Sequence, residues 1–190
     1  MKTSAVILAA GAGARLGGVA KALLERRGKR TFLASIVTTA RDAGLHEAIV
    51  VVGPPFGDQV GAHASELGAR VVVNPAPERG MASSVALGFA AAGDAEAAWL
   101  WPVDHPDVAS STLRALIAAI GSHAAARPVV GERRGHPPLI RRTLFEALAG
   151  CTNIEGGART VLAAADTVDV SVDDPGCVRD IDTATDLEAM

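Results

Sequence analysis

The sequence predicts an α/β fold: a single Rossmann-like three-layer domain over residues 1–190, with a mostly parallel sheet and a short hairpin insertion. Three observations lead there. Short β-branched runs alternate with helix-period segments, the pattern of repeated βα units. The first run, Ala5–Ala10, is continuously apolar, as a parallel strand covered on both faces must be. The 190 residues are 49% hydrophobic and 21% charged, enough to bury the core of one domain and too few for a second.

The elements follow in order. After the strand at Ala5–Ala10, the segment Thr31–Ala43 sets Phe32, Leu33, Ile36, Val37 and Ala40 on one helical face. Ala48–Val52 is a strand stopped by Gly53-Pro54-Pro55. A helix at Gln59–Leu67, a strand at Arg70–Val73 and a helix at Met81–Ala92 come next, with Ser83 and Ser84 in the first turn of the last. Ala98–Trp101 is a strand running into Pro102-Val103-Asp104-His105-Pro106, and Ser110 or Ser111 is expected to cap a helix reaching about His123. At Pro128 the rhythm changes: Pro128–Gly131 and Pro138–Ile140 read as short strands around a Glu132–Gly135 turn. Helices at Arg142–Leu148 and Ala158–Ala165, strands at Val168–Val172 and Val178–Ile181, and a helix at Thr183–Ala189 complete the pattern.

Composition excludes several classes of function. Eighteen basic against 21 acidic residues give a formal net charge of −3, which argues against a nucleic-acid or anionic-membrane surface. Aromatics are 3% of the chain and Tyr is absent, so a base-stacking RNA platform is disfavoured. No apolar run approaches the ~20 residues of a membrane helix. Met1-Lys2 and the apolar run after it imitate a secretory leader, but glycines interrupt the run and the basic end has one lysine; a buried strand entering a glycine loop is the better reading. Cys151 and Cys177 form no CxxC pair, and a reducing cytoplasm is the expected location.

Ligands of parallel sheets gather beyond the carboxyl ends of the strands, which directs attention to Gly11–Lys21, Pro102–Pro106 and Arg179–Thr183. The first reads G-x-G-x-R-x-G-x(3)-K. It is not a dinucleotide fingerprint, because Leu16 stands where the third glycine belongs, and not a nucleoside-triphosphatase loop, because Val19 and Ala20 follow Gly18. What remains is a glycine cradle whose N–H groups can converge on phosphate oxygens, framed by the Arg15 guanidinium and the Lys21 ammonium. Asp104, just past an apolar strand, is the expected Mg²⁺ ligand, since that ion takes one or two carboxylates beside substrate phosphates. Asp180 or Asp182 can supply the second carboxylate, and in an extended strand both point the same way. The alternative is that this acidic cluster caps the last helix. Ser83 and Ser84 could bond a ribose or base, or cap their own helix. His136 could touch an acceptor or order its turn, and Arg133 and Arg134 could bind an anionic acceptor or be surface charge. No zinc-ligand spacing occurs.

Leu8-Ala9-Ala10-Gly11-Ala12-Gly13-Ala14-Arg15-Leu16-Gly17 with Lys21 resembles the signature of the MobA/MocA-like nucleotidyltransferases, a group that includes molybdenum cofactor cytidylyltransferase. Five further segments match in order: Asn74-Pro75 with Gly80-Met81-Ala82-Ser83-Ser84, Val103-Asp104-His105-Pro106, Gly135-His136-Pro137, Gly156-Gly157-Ala158-Arg159 (whose second residue is usually Asp), and Asp180-Ile181-Asp182-Thr183 with Asp186-Leu187. The resemblance implies transfer of a nucleoside monophosphate (NMP) from an NTP to a phosphorylated acceptor such as molybdopterin, with release of pyrophosphate. It implies Leu8, Ala9, Ala10, Gly11, Gly13, Asn74, Ser83 and Ser84 at the nucleotide, Arg15 at the departing pyrophosphate and Lys21 at the α-phosphate. It also implies His136 and Arg134 at the acceptor, Mg²⁺ on Asp104 and Asp180, and a transient protein partner that receives the product. Ala10 implies CTP, because guanylyl-transferring members usually read L-A-G-G there. The rivals are a sugar-phosphate nucleotidyltransferase and a non-catalytic nucleotide-binding regulatory module.

Overall fold

The apolar run at the start of the chain becomes the middle of the sheet. A computed structural model describes residues 1–13, 16–26 and 30–188. In chain order its elements are β1 (Thr3–Leu8), β2 (Glu25–Arg26), β3 (Arg30–Thr31), α1 (Phe32–Asp42), β4 (Glu47–Val52), α2 (Gly57–Glu66) and β5 (Arg70–Val73). There follow α3 (Met81–Ala91), β6 (Ala97–Pro102), α4 (Ser110–Ala119), β7 (Ala125–Val130), β8 (Arg133–Arg134), β9 (Leu139–Arg141) and α5 (Phe145–Ala149). The last are α6 (Ala158–Ala164), β10 (Thr167–Ser171) and α7 (Ala184–Glu188), with short 3-10 turns that include Lys21–Leu23, Pro77–Arg79 and Pro175–Cys177.

The sheet order is β10-β7-β9-β6-β1-β4-β5, with β8 hydrogen-bonded to β7 and a separate β2–β3 ribbon. β1 pairs in parallel with β4 and β6, β4 with β5, and β7 with β10. The hairpin insertion is the antiparallel part: β8 folds back on β7, and β9 lies between β6 and β7. Arg133 and Arg134 thus belong to a strand rather than to the expected turn.

Alternation along β1 decides the layers. Ala5 and Ile7 pack with Phe32, Leu33 and Ile36 of α1, Val60 and Ala64 of α2, and Leu113 and Leu116 of α4. Val6 and Leu8 pack with Val85 and Phe89 of α3 and with Phe145 and Leu148 of α5. Helices therefore cover both faces, and β1 is buried throughout. α1 keeps the buried face read from sequence, and Thr31 caps it by accepting from the Ala34 N–H at 3.1 Å. Gly88 is what lets α3 lie close on the sheet: a Cβ there would stand 2.3 Å from Val6 Cγ1.

Two further expectations are corrected. α4 ends at Ala119, and neither Ser110 nor Ser111 caps it; its cap position is Ala109, whose N–H donates to Asp174 Oδ2 at 2.8 Å. Val178–Ile181 is not a strand. Pro175–Cys177 turns the chain, which then runs as a strap across two loops, held by single bonds rather than a ladder. The His136 N–H donates to the Cys177 carbonyl at 2.7 Å, and the Ile181 N–H to the Asp104 carbonyl at 2.9 Å. No helix of the described residues is long and apolar enough to cross a membrane.

Candidate functional site

β1 is where the strand order reverses, with β4 on one side and β6 on the other, and a cavity of about 360 Å³ opens beyond the ends of β1 and β6. One part of its wall is the turn that leaves β1, from Leu8 through Ala9, Ala10 and Gly11 to Gly13. Gly13 has a φ of +59°, and a Cβ on it would lie 2.0 Å from the Val19 carbonyl oxygen, so no other residue fits that crossing. Its own carbonyl accepts from the N–H groups of Leu16 and Gly18 at 2.9 and 3.1 Å. Arg15, assigned above to the pyrophosphate, lies outside the described residues.

Opposite stands the charged wall. Lys21 opens a 3-10 turn pinned by buried Ala22, and its ammonium is hydrogen-bonded to Asp182 Oδ1. Asp104 follows β6 in a turn held from two sides. The Trp101 indole N–H donates to the His105 carbonyl at 2.9 Å, and the Asp104 carbonyl receives Ile181 from the strap. Lys21, Asp104 and Asp182 all face the cavity.

Burial pushes the Asp104 carboxyl above the usual carboxylate range; His105 and Lys21 oppose that rise, and the Asp182 charge adds to it. Asp104 Oδ1 is buried with no hydrogen-bond donor among the described residues, His105 Nε2 standing 3.9 Å away. A buried carboxylate oxygen without a donor, facing a second carboxylate, fits a hard divalent cation that draws its other ligands from substrate oxygens and water. Among the described residues no cluster of three or more His, Cys, Asp or Glu side chains forms a complete metal cage.

The strap explains which aspartate enters the wall. Asp186 reaches back to accept from the N–H groups of Asp182 and Thr183 at 3.1 and 2.7 Å, and the Asp186 N–H meets Thr183 Oγ1 at 3.3 Å. That reciprocal cap opens α7 and leaves the Asp182 side chain to the cavity. Asp180 is exposed and is not on the cavity wall; its charge acts on His136 instead. Two residues apart, they face different surroundings because the segment is not a pleated strand. The strap is anchored upstream by Asp174, which accepts from the Ala109 N–H, from Thr112 Oγ1 at 2.7 Å and from the Gly176 N–H at 3.1 Å.

The serine segment divides in the same way. Ser84 is on the wall, while Asn74 and Ser83 are not. The buried Asn74 amide donates to Ser83 Oγ and Ser84 Oγ, both at 2.9 Å, and accepts from the Ala76 N–H at 3.0 Å, so its polar atoms tie the Asn74–Ala76 loop to α3. Ser83 Oγ donates to the Gly80 carbonyl at 2.7 Å, a local back-bond within the first turn; among the described residues no side chain caps the α3 N–H groups, so the capping alternative weighed from sequence is not what the serine does. Pro77 and Met81, which sequence reasoning did not single out as wall residues, line the apolar end, and Met81 is 64% exposed although it begins a helix.

Neither His136 nor Arg134 is on the wall of this cavity. The His136 ring lies 5.0 Å from that of His105, and its Nδ1 is buried without a partner among the described residues. Burial, helped by the neighbouring His105, pushes His136 down to about 4 from 6.5, against the pull of Asp180. Arg134 is exposed, 4.0 Å from Asp169. The unfolded chain therefore binds more protons at His136 than the folded one between pH 6.5 and about 4. Stability is full above that window and falls as pH drops through it, by at most about 3 kcal/mol. Urea denaturation at pH 7 and pH 4.5 should show a smaller acid loss for His136→Gln than for the wild type; equal losses would contradict the assignment.

The chain is 35% identical over 196 residues to the nicotine blue oxidoreductase of Paenarthrobacter nicotinovorans, covering 96% of this chain and 93% of that protein. Rv0371c of Mycobacterium tuberculosis H37Rv superposes with a TM-score of 0.83 at 29% identity, covering 100% of this chain and 97% of that one, and has also been solved in complex with manganese. A nucleotidyl transferase of Methanothermobacter thermautotroptrophicus superposes with a TM-score of 0.82 at 25% identity, covering 99% of this chain and 95% of that one. A family model matches residues 5–169, from β1 into β10, and so takes in the glycine turn and the loop of Asp104. By that match the chain belongs to the family of the MobA-like NTP transferase domain.

Proposed function

We propose that the protein transfers an NMP from an NTP to a phosphorylated small-molecule acceptor. The observation that carries this reading is the cavity beyond β1 and β6, where a glycine turn faces Lys21, Asp104 and Asp182. An acceptor phosphate oxygen bonds to the α-phosphorus, the bond from that phosphorus to the bridging oxygen breaks, and its electron pair leaves with pyrophosphate. The nucleophile is already anionic near neutral pH, so no catalytic base is required, and positioning and charge do the work. The glycine turn cradles the phosphates, Lys21 meets the α-phosphate and Arg15 the departing pyrophosphate. A divalent cation, Mg²⁺ by preference, would be held by Asp104 and by Asp182, the carboxylate that shares the cavity wall, in place of the exposed Asp180, and would offset charge between nucleotide and acceptor. His136 and Arg134 are the acceptor side, and molybdopterin the acceptor favoured by the sequence resemblance. A transient protein partner would take the product, and two buried free cysteines suit a cytoplasmic location. Pyrophosphate release measured with each NTP, with and without molybdopterin or sugar phosphates, tests the reading.

CTP is the expected nucleotide. Ala10 lies on the cavity wall, and its methyl group sits beside Gly53 and near Pro77 at the apolar end, taking up room that a purine could use. One methyl group gives a preference of roughly 10- to 200-fold. Ala10→Gly should shift the ratio of kcat/KM for CTP over GTP toward GTP; equal use of both by the wild type, or an unmoved ratio in the variant, would contradict this placement of the base.

A second reading rests on the 35% identity to an oxidoreductase over nearly the whole chain. In that case the same cavity would hold a redox carrier, for which NADH and NADPH are the probes. Oxidation of NADH or NADPH on addition of nicotine blue, without pyrophosphate release from any NTP, would favour it.

A further inference from the structure

We infer that Asp182 makes the cavity select polyphosphate that arrives with a divalent cation over polyphosphate that arrives without one. The inference rests on the nucleotide reading above and adds a selection rule to it. The Lys21 ammonium is engaged by the Asp182 carboxylate, with the two side chains only 15% and 23% exposed. A pair so shielded is little weakened by salt, so an incoming phosphate oxygen must displace a carboxylate rather than a water molecule. Asp182 also shares the wall with Asp104, whose Oδ1 is buried and has no donor among the described residues.

Asp182 therefore meets two opposite demands: it neutralises Lys21 and is repelled by Asp104. Free polyphosphate brings further negative charge to a wall that already holds two carboxylates, and it finds the ammonium occupied. A cation carried in with the polyphosphate reverses both conditions. It gives Asp104 and Asp182 a shared positive partner, loosens the hold of Asp182 on Lys21, and frees the ammonium for phosphate. By linkage the cation must also bind more tightly when polyphosphate is present.

The test is calorimetric titration of pyrophosphate into the full-length chain, in EDTA and in Mn²⁺. The proteins compared are the wild type, Asp182→Asn, Lys21→Ala and the double variant, with thermal unfolding to confirm that each is folded. Asp182→Ser replaces Asp182→Asn if the latter does not fold. The wild type should bind pyrophosphate at least about 10-fold more tightly with Mn²⁺ than in EDTA, the size of one charge-assisted contact. In EDTA, Asp182→Asn should bind it about 10-fold more tightly than the wild type, with a smaller gain from Mn²⁺. With Lys21→Ala already present, the same substitution should bring little of that increase, because the effect runs through the lysine. Metal-free affinity in Asp182→Asn at or below that of the wild type, with Mn²⁺-supported binding in the wild type intact, would overturn the selection rule and leave the nucleotide reading standing. Failure of the wild type to bind pyrophosphate or CTP even with Mn²⁺ would overturn the nucleotide reading itself.

Discussion

Lys21→Ala is expected to lower kcat for NMP transfer by about 10²-fold or more, the usual cost of removing a preorganised charge contact to a transferring phosphoryl group. The fold should survive. The turn that carries Lys21 is pinned by buried Ala22 and by backbone bonds from Leu23 to Ala20 and from Leu24 to Lys21, none of which needs the ammonium. The pair with Asp182 is shielded, and removing the ammonium leaves the carboxylate without that partner, so stability should fall by about 1–3 kcal/mol without unfolding the chain. A wild-type circular dichroism spectrum and a cooperative, modestly lowered thermal transition, beside the collapse in kcat, would place the defect in chemistry. A near-normal kcat would remove Lys21 from the mechanism.

Asp104→Asn and Asp182→Asn should each lower metal-supported turnover by about 10²-fold, and the double variant should lose much less than the product of the two. Two carboxylates that serve one ion are a unit: once the first is gone, the second has little left to hold. The substitutions should also raise the Mn²⁺ concentration needed for half-maximal rate. Fully multiplicative losses would mean that the carboxylates act separately. If Asp180→Asn behaves as described here and Asp182→Asn does not, the second ligand is Asp180, as the sequence resemblance implied.

The parts of the fold that were legible in the sequence are those where one local rule operates without competition. β1 is apolar from Ala5 to Leu8 because helices cover both of its faces, and α1 combines a capping threonine with an apolar stripe. The glycine turn could be read because the close crossing at Val19 demands glycine at position 13. The strap could not. Val178–Ile181 has strand composition, but its groups are used singly, the Ile181 N–H by the Asp104 carbonyl and the Val178 carbonyl by the Arg133 guanidinium, and those bonds join residues far apart in sequence. The choice between Asp180 and Asp182 depended on the strap, since alternation along a strand is the only orientation rule that a sequence offers there.

Asn74 shows a second limit. It matches a motif shared with nucleotide-binding relatives, yet its amide is spent on Ser83, Ser84 and Ala76. A motif records that a residue type is required. It does not say whether the requirement is contact with a ligand or support of the loop beneath it. Ser83 and Ser84 divide along the same line, one turned into its own helix start and the other onto the cavity wall.

The central claim is that the cavity moves the α-phosphoryl part of a nucleotide to an acceptor. The most direct measurement is label transfer from CTP in the presence of Mg²⁺ and molybdopterin, with parallel reactions in which sugar phosphates are the acceptor. Label placed on the α-phosphorus should appear in the acceptor at the rate of pyrophosphate release, and label on the γ-phosphorus should appear only in pyrophosphate. Both signals should appear about 10²-fold more slowly, or slower still, with Lys21→Ala. No transfer of α-label to any phosphorylated acceptor from any of the four NTPs, while NADH or NADPH is consumed by the same preparation on addition of nicotine blue, would contradict the account.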